Sequence, residues 1–502
     1  MPQRKDAQLL LFLPLAIGLF LRLRLAVSDH GIFWPDEIYQ SFEPAHALVF
    51  GHGLIPWEFI DGARNWALPG LVAGLLKLCA LVGLDRPTAY VPVVKGFFAL
   101  VSVGTAWGTY RLARAVGADE LPAAAAASIF SLAAPVLYFA PRAMSENATA
   151  LLVVWGLALL LDREVFEKAS TDTRARRLLV LGASLLGVAV LMRLQSAVFC
   201  VGVLGVLAVR AKRAAPSDAD PRPRRWLALR DVVLTLGVWA LVFGALDAAT
   251  WHDAPGAKAG GWFHSAVVYL RFNLIEGKAA GWGVAPWYFF LQRLWTSMPL
   301  ITAALAVGIL FGLRRAPGLF VVGLLFFALH SASPHKEYRF ILPVLPVLAA
   351  LLAVGVSSLP LERLRQGGVG FVVLASLVSA VTADQLTFGQ LGQYPGREGA
   401  SAWDDNGPVN RLMLVASQQN DLCGLFTPVH PAWMGGATYL HRRAPLYAPG
   451  WPYDCVQAGT CNYAIVPKGA NLPVVAEDKD FILARVPNSP CKQDPNYSWR
   501  LP

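Results

Sequence analysis

Two adjacent carboxylates follow the first long apolar segment of the chain. Asp36 and Glu37 lie in the stretch GIFWPDEIYQSFEPAH, directly after Pro35 and among aromatic residues. One interpretation is a helix start, in which Asp36 accepts hydrogen bonds from free backbone amides. The other is a general base, because a carboxylate held against apolar walls is partly desolvated and stays reactive. We expect Asp36 and Glu37 to be catalytic.

A cationic motif stands at the start of a later apolar run, in SASPHKEYRFILPVLPVLAALLAVGV. It contains His335, Lys336, Glu337 and Arg339. Such residues can anchor a helix among lipid headgroups by extending their charged ends to water. They can also clamp the phosphate of an anionic lipid, with Glu337 orienting Lys336 or Arg339. We expect His335, Lys336 and Arg339 to bind a donor phosphate.

Further polar residues interrupt apolar segments, where an ionisable side chain marks a functional site by default. We expect Arg142 and Arg193 to add phosphate contacts and Gln195 to orient or bind substrate. A pair between Arg142 and Glu146 at helical spacing is the structural alternative. The full set is Arg142, Ser145, Glu146, Asn147, Arg193, Gln195 and Asp247.

The segment 250–291 is rich in aromatic side chains, whose flat rings have polar edges. Such rings lie at membrane interfaces, which is the commoner use, and they also stack on sugar faces. We expect Trp282 and Trp287 to contact substrate. The aromatic set is Trp251, Trp262, Trp282, Trp287 and Tyr288.

The elements that position these residues must be membrane helices. Of the 502 residues, 55% are hydrophobic and only 15% are charged, and the mean hydropathy is +0.47. Apolar runs of about 17–25 residues recur along most of the chain, the length at which a helix spans a bilayer. The net charge of +10 does not indicate nucleic acid, because Lys and Arg cluster in short loops between apolar runs, where they set topology.

Placing the basic clusters in the cytoplasm fixes the predicted topology. It requires the apolar piece 66–84 to be a shallow helix on the outer side, and the long apolar run 178–209 to break near Arg193. Residues 8–27 are then a first span rather than a cleaved leader. The eleven predicted spans are 8–27, 91–113, 121–140, 144–161, 178–192, 195–209, 231–249, 292–312, 318–331, 338–357 and 369–383.

These spans predict two domains. A transmembrane catalytic domain covers 1–383 and has its first outer loop at 28–90, and an extracytoplasmic domain covers 384–502. The second domain has ordinary polarity, Pro and Gly punctuation and strand-like runs such as CGLFTPV, NYAIVPK and FILARVP. This pattern is typical of a small α/β domain.

Four of the six cysteines lie in this C-terminal segment. An even number of cysteines outside the cytoplasm predicts one or two disulfides, with three pairings open. Reduced structural thiols are the alternative, and the lack of a CxxC pair disfavours zinc. The four are Cys423, Cys455, Cys461 and Cys491.

Four motifs, in this order and at these distances, resemble glycosyltransferase family 22. They are WPDEIYQSFEPAH, PRAMSEN, WGVAPWYFF and HKEYRFILPVLP. The family contains Alg9-like and GPI-anchor-type mannosyltransferases that use polyprenyl-phosphate mannose. The stretch LCGLFTPVHPAWMGGATYLHRRAPLY in the tail is similar to the lumenal end of the GPI-anchor type.

The resemblance implies a GT-C glycosyltransferase fold, an all-α multispan membrane bundle whose catalytic acid lies in the first outer loop. Asp36 matches that acid, and the motif at 335–339 matches the family signature, with donor-phosphate contact as its implied task. Two departures stand out. Ala285 replaces the His that relatives commonly carry before Pro-Trp, and SEN at 145–147 replaces the more usual Ser-Asn.

We therefore predict a membrane glycosyltransferase that moves mannose from a polyprenyl (dolichyl-type) phosphate donor to a lipid-linked glycan acceptor. Asp36 would take the proton of the acceptor hydroxyl, which attacks the anomeric carbon opposite the phosphate, so that configuration inverts. No cofactor is required, because Arg and Lys can stabilise a monophosphate leaving group, although Asp36 with Glu37 could hold Mg²⁺ or Mn²⁺. The residues expected to orient or bind substrate are Glu337, Gln195, Trp282 and Trp287.

Two other functions fit the same residues. A GT-C transferase for another sugar or for a protein acceptor would need nearly the same geometry. A lipid or sugar transporter or flippase usually has its site near the bilayer midplane between internal repeats, whereas these polar residues cluster at one interface. The Ala- and Arg-rich usage favours the bacterial inner membrane over an endoplasmic reticulum membrane, with membrane lipids as partners and the site on the extracytoplasmic side.

Overall fold

The computed structural model describes residues 2–213, 222–254, 257–392, 394, 396–495 and 497–501. The basic connector predicted between 210 and 230 lies partly outside the described residues, at 214–221. The α-helices, numbered α1–α23 in chain order, are Pro2–Ser28, Pro35–Glu37, Glu43–Phe50, Trp57–Ile60, Ala67–Leu81, Pro87–Ala115, Glu120–Leu132, Ala134–Phe139, Ser145–Leu161, Arg163–Lys168, Thr173–Met192, Ala197–Lys212, Arg222–Trp251, His264–Leu270, Phe289–Ser297, Pro299–Gly312, Pro317–Ala332, Leu345–Ser357, Glu362–Val381, Phe388–Leu391, Gly407–Ala416, Gly436–Leu440 and Cys455–Ala458.

Shorter helical forms and strands complete the elements. The π-helical segments are Ile38–Phe42 and Arg271–Ile275. The 3-10 segments are Leu194–Ser196, Ala259–Gly261, Lys278–Trp282, Tyr338–Val344, Ala383–Gln385 and Pro431–Trp433. The strands β1–β7 are Ile55–Pro56, Leu425–Phe426, Leu446–Tyr447, Tyr463–Pro467, Val474–Asp478, Phe481–Arg485 and Arg500–Leu501.

Seven helical stretches within the described residues are long and apolar enough to cross a membrane, by length and composition. Five shorter apolar helices, α5, α7, α9, α16 and α17, have 10–17 residues. Each predicted span overlaps one of these helical stretches or shorter helices, and α5 overlaps the apolar piece 66–84. That the shorter helices cross the membrane, and that α5 lies on its outer side, stay predictions. The seven are Lys5–Ser28, Pro87–Ala115, Thr173–Met192, Leu194–Lys212, Arg224–Trp251, Tyr338–Ser357 and Glu362–Val381.

The apolar run 178–209 breaks at Arg193, as predicted. Helix α11 ends at Met192, and Arg193 adopts an extended conformation with φ −153° and ψ 107°. A 3-10 turn, Leu194–Ser196, then leads into α12. The break brings the polar side chain of Arg193 to a helix end instead of leaving it within a continuous apolar helix.

A second break, at Ala133, divides the predicted span 121–140 into α7 and α8. Pro135 has no backbone N–H and cannot donate to the carbonyl of Ser131, which favours a helix break here, and the amide of Ala134 donates to Oγ of Ser379 instead of to Phe130. The buried guanidinium of Arg22 supplies donors to both open carbonyls, at 2.5 Å from the oxygen of Ser131 and 2.7 Å from that of Phe130. A charged residue within the first span therefore caps the end of another helix.

The chain forms two compact units. The first unit comprises Met1–Leu23, Phe98–Ala249 and Leu270–Ala400, and holds most of the apolar helices. The second comprises Arg24–Phe97, Thr250–Tyr269 and Ser401–Pro502. The tail thus groups with the first outer loop, and the predicted domain boundary at 383/384 stays a prediction.

Helices of the first unit approach one another closely where glycines face each other. Helix α16 packs on α18, and a Cβ atom on Gly355 would overlap the carbonyl oxygen of Gly308. Gly312 faces the carbonyl of Leu351 in the same way. Small residues allow such backbone contact between membrane helices, which is stabilised by van der Waals packing.

A five-stranded sheet lies in the second unit, with the order β3-β2-β4-β6-β5. Strand β2 is parallel to β3 and β4, whereas β6 is antiparallel to β4 and β5. Helix α21 packs against β5 and β6. The runs predicted as strands contain β2, β4 and β6, so the expected small α/β region is confirmed.

Two disulfides stabilise the tail, Cys423–Cys491 and Cys455–Cys461. They enclose chain segments with sequence separations of 68 and 6 residues. The prediction of disulfides is confirmed, and one of the three open pairings is now defined.

The two disulfides should stabilise the chain unequally, because closing a longer loop removes more entropy from the unfolded state. On that basis the double variant C423S/C491S should lose about 4 kcal/mol and C455S/C461S about 2 kcal/mol. Denaturant unfolding of the detergent-purified protein, followed by tryptophan fluorescence, measures both losses. Equal losses, or a larger loss for C455S/C461S, would contradict this ranking.

Candidate active site

A buried carboxylate, Glu146, joins two arginines in the first unit. Its Oε1 lies 2.6 Å from Nη1 of Arg193 and 2.9 Å from Nη1 of Arg339, and the three residues are at most 4% exposed. Ser145 donates a hydrogen bond to Oε2 of Glu146 at 3.1 Å. Glu146 lies in the first turn of α9, Arg193 in the break after α11 and Arg339 in the 3-10 turn before α18. We call Glu146, Arg193, His335, Glu337 and Arg339 the charged network.

Glu337 extends this network toward the surface of the unit. Its Oε2 accepts from Nε of Arg339 at 2.6 Å, and its Oε1 lies 3.0 Å from Nε2 of His335. The other ring nitrogen of His335 faces the carbonyl of Gly283 at 3.1 Å. With an acceptor at each nitrogen, the imidazole ring is best satisfied as the doubly protonated cation.

The ionisation of this pair follows from its contacts. Burial alone would lower the pKa of His335, but the hydrogen bond to Glu337 and the charge of that carboxylate raise it above the ordinary value. Burial alone would raise the pKa of Glu337, but Arg339 and His335 hold it below its usual range. Of the two cations that Glu337 was predicted to orient, Arg339 is the one that it contacts, and the orienting role itself stays a prediction.

Lys336 is buried and directed at backbone oxygens. Its ammonium donates to the carbonyl of Ala285 at 2.8 Å and to that of Ser333. The amide of Ala285 in turn donates to the carbonyl of Pro334 at 3.0 Å. Two of the three N–H donors of Lys336 are thus used, and they link the turn that contains Ser333 to the segment around Ala285. The role of Lys336 in phosphate binding stays a prediction.

The remaining predicted residues of the first unit lie in varied surroundings. Arg142 is buried between α8 and α9, with its guanidinium carbon 4.2 Å from the ring centre of Tyr138. Gln195 lies half-buried in the 3-10 turn after Arg193. Trp282 and Trp287 are 63% and 69% exposed, so their rings are accessible from outside.

The acidic pair lies in the second unit, at the start of a continuous helical stretch, 35–50. Helix α2 begins at Pro35, the capping residue is Trp34, and Asp36 follows in the first turn, so Asp36 is not the N-cap residue. Asp36 is half-buried, whereas Glu37 is 0% exposed. We call Asp36 and Glu37, with the side chains that hold them, the acidic site.

Lys95 on helix α6 compensates the buried charge of Glu37. Its Nζ lies 3.9 Å from Oε1 of Glu37 and donates to the carbonyl of Asp29 at 2.6 Å. Lys95 is not among the predicted site residues, although a lysine inside the apolar run VPVVKGFFALV is itself a signal. Glu37 is thus enclosed and paired with Lys95, whereas Asp36 is partly accessible, and the catalytic roles of both carboxylates stay predictions.

The tail holds the first outer loop through Glu43. This buried carboxylate accepts from the amide of Leu54 at 2.8 Å, and from the amide and hydroxyl of Thr438 at 2.5 and 2.7 Å. Burial raises the pKa of Glu43 to about 7. The hydrogen bonds favour the ionised form and lower the pKa, but burial has the larger effect. His46 adds a second link, with Nε2 3.0 Å from Nδ1 of His441.

A divalent metal site in a protein needs several ligating side chains close together, a condition that can be assessed for the described residues. Among them, no three His, Cys, Asp or Glu side chains are grouped so that they could hold a metal ion. Asp36 and Glu37 therefore lack a third such ligand within the part of the chain that the structure describes. The expectation that no cofactor is required stays a prediction.

Comparison with solved structures defines the class of protein. The chain is similar to ArnT from Cupriavidus metallidurans bound to undecaprenyl phosphate, with a TM-score of 0.60 and 14% identity, over 96% of this chain and 99% of that chain. It is similar to archaeal oligosaccharyltransferase AglB from Archaeoglobus fulgidus, with a TM-score of 0.57 and 12% identity, over 93% of this chain and 70% of that chain. The protein has a GT-C glycosyltransferase fold.

Sequence comparison defines the family. The profile of the Alg9-like mannosyltransferase family matches residues 13–393, and the chain belongs to this family. GPI mannosyltransferase 3 of Yarrowia lipolytica is 31% identical over 367 residues, which cover 72% of this chain and 65% of the relative. GPI alpha-1,2-mannosyltransferase 3 of Xenopus laevis is 24% identical, over 70% of this chain and 60% of the relative. The chain thus spans less than two thirds of the length of these relatives.

Removing the charge of Glu146 should destabilise the first unit strongly. Glu146→Gln leaves Arg193 and Arg339 buried without their shared counter-charge, and breaking a buried pair typically costs about 3–5 kcal/mol. The free energy of unfolding in detergent measures the loss. Glu164→Gln is the control, because Glu164 forms an exposed pair with Lys168, and it should cause no measurable change. A loss for Glu146→Gln no larger than that of the control would contradict this assignment.

Proposed function

We propose that this chain transfers a mannosyl group from a polyprenyl-phosphate donor to a lipid-linked glycan acceptor, with inversion at the anomeric carbon. The observation that carries the proposal is the fixed geometry of Arg193 and Arg339 around Glu146. Family membership supports the choice of mannose. The similar ArnT and AglB structures, with undecaprenyl phosphate and dolichol-phosphate respectively, support a polyprenyl-phosphate ligand.

Cations held in fixed positions in the first unit favour an anionic ligand. The guanidinium groups of Arg193 and Arg339 contact the carboxylate of Glu146, and Arg339 also contacts Glu337. Lys336 lies in the same motif, and His335 adds positive charge when protonated. Guanidinium groups held rigidly by hydrogen bonds suit a phosphate whose negative charge grows as the sugar departs.

The acidic site supplies the complementary step. Asp36 removes the proton from an acceptor hydroxyl, the hydroxyl oxygen forms a bond to the anomeric carbon, and the bond from that carbon to the phosphate oxygen breaks. Arg193 and Arg339 stabilise the departing phosphate more than the bound donor, because its charge is greater in the transition state. Glu37, paired with Lys95, positions the turn that carries Asp36.

The accessory roles remain part of the proposal. Gln195 and the exposed rings of Trp282 and Trp287 bind or orient the sugar or its lipid, and Arg142 adds a phosphate contact. The active site faces the extracytoplasmic side, a choice supported by the two disulfides in the unit that contains Asp36. The bacterial inner membrane is the proposed location, with the endoplasmic reticulum membrane as the eukaryotic counterpart.

Replacing the proposed base should abolish transfer without unfolding the protein. Asp36→Asn should lower the rate by about 10²–10⁴-fold, the usual contribution of a general base. Transfer of radiolabelled mannose from polyprenyl-phosphate mannose in detergent measures this rate. Asp85→Asn is the matched control, since Asp85 is exposed in the same outer loop, and it should retain activity. A folded Asp36→Asn variant with wild-type turnover would refute the role of Asp36.

Chelation should leave the activity intact. Arginine and lysine alone can neutralise a monophosphate leaving group, so we propose that no divalent cation takes part. Transfer rates measured with excess EDTA, and after adding back Mg²⁺ or Mn²⁺, should agree with the untreated rate. Loss of activity in EDTA that either metal restores would show that the acidic site works with a bound cation.

A further inference from the structure

A third carboxylate, Glu58, is tied to the helical stretch that carries Asp36. It lies in the short helix α4, and its Oε1 accepts a hydrogen bond from Nε2 of the buried Gln40 at 3.0 Å. Asp36 and Gln40 are four residues apart in the continuous helical stretch 35–50. Gln40 lies in the π-helical segment Ile38–Phe42, where one turn takes slightly more than four residues, so its side chain lies close to the face that carries Asp36. Glu58 is therefore held by a residue about one turn beyond Asp36.

The backbone around Glu58 is fixed from both sides. Strand β1, immediately before α4, pairs in parallel with β7 at the end of the tail, with the amide of Ile55 donating to the carbonyl of Trp499 at 2.8 Å. On the other side, the amide of Ala63 donates to the carbonyl of Glu58 at 2.8 Å. Phe59 packs against Trp66, with ring centres 4.9 Å apart. The position of this carboxylate is thus set by the fold.

The electrostatic surroundings of Glu58 favour retention of a proton. Burial raises its pKa to about 7, the negative charge of Asp36 acts in the same direction, and the positive charge of Arg64 opposes them. Near neutral pH a substantial share of the molecules then has Glu58 ionised and able to accept a proton. Its side chain is half-buried, so it retains access to solvent.

We propose that Glu58 accepts the proton that Asp36 takes from the acceptor hydroxyl, and passes it on to solvent. This inference rests on the proposed function. The O–H bond formed on Asp36 breaks, an O–H bond forms on Glu58 directly or through one water molecule, and the proton then leaves to bulk water. Asp36 returns to its ionised form before the next turnover. Gln40 keeps Glu58 oriented during the exchange.

A purely structural role for Glu58 makes a different prediction. If Glu58 served only as a partner for Gln40, the amide of Glu58→Gln could still accept that hydrogen bond, and the variant would behave like the wild type. Glu58→Asp shortens the side chain but keeps an ionisable group. The two variants therefore separate loss of ionisation from a change in geometry.

The test is the pH dependence of kcat at saturating donor and acceptor. The wild type should show an inflection near pH 7, with kcat rising as Glu58 ionises. Glu58→Gln should lose this inflection and lower kcat by about tenfold or more, below the full contribution of a general base, with KM unchanged. Glu58→Asp should keep the inflection at a reduced rate. Glu477→Gln, a partly exposed glutamate of the same unit, should match the wild type.

Several outcomes would overturn the inference. They are a wild-type profile without the inflection, a Glu58→Gln profile that retains it, or a Glu58→Gln variant that changes KM alone. If Glu58→Gln fails to fold, the wild-type and Glu58→Asp profiles decide the question. An active Asp36→Asn variant would refute the proposed function instead, and that failure is distinguishable because it does not depend on Glu58.

Discussion

The contact on which the first unit depends is the pair of ion bridges from Glu146 to Arg193 and Arg339. Moving a charge from water into an apolar helical bundle is costly unless an opposite charge and hydrogen bonds compensate it. One carboxylate oxygen compensates two guanidinium groups, and the hydroxyl of Ser145 satisfies the second oxygen. Helices far apart in sequence therefore meet at one point, and the arginines have little freedom to reorient.

The same requirement explains several local contacts. A charged side chain within an apolar segment needs a partner that compensates it. Arg193 meets Glu146 at the point where α11 ends, and Arg22 satisfies open carbonyls at the end of α7. In the second unit Lys95, inside the continuous helix α6, compensates Glu37. Each of these buried charges is thus fixed by a specific contact.

Much of the fold follows from the sequence, because apolar run length and charge are local properties. The helices under all eleven predicted spans, the break at Arg193 and the disulfide content of the tail were accessible in this way. The breaks at Ala133 and Met298 were not predicted, although Pro135 and Pro299 offered a signal. Which of the four tail cysteines pair depends on how the strands of the tail are arranged. No local sequence pattern around Cys423 or the other three cysteines encodes that arrangement.

The sequence suggests which residue types form the candidate site, but it does not show which partners those residues contact. The charge of the motif at 335–339 indicated phosphate binding. In the structure Lys336 donates to backbone carbonyls, and Arg339 forms an ion pair with Glu146, nearly two hundred residues away in sequence. Glu58 carried no recognisable signal, because its link to the stretch after Asp36 depends on the pairing of β1 with β7. Tertiary contacts of this kind become visible only once the chain is folded.

The central claim is that fixed cations and a partly exposed carboxylate together perform an inverting mannosyl transfer. The most direct measurement is the stereochemistry of the product formed by the purified protein from a β-linked polyprenyl-phosphate mannose and a lipid-linked glycan acceptor. Nuclear magnetic resonance of the new linkage should show an α-mannoside. A β-mannoside, or no transfer by folded protein supplied with both substrates, would contradict the account.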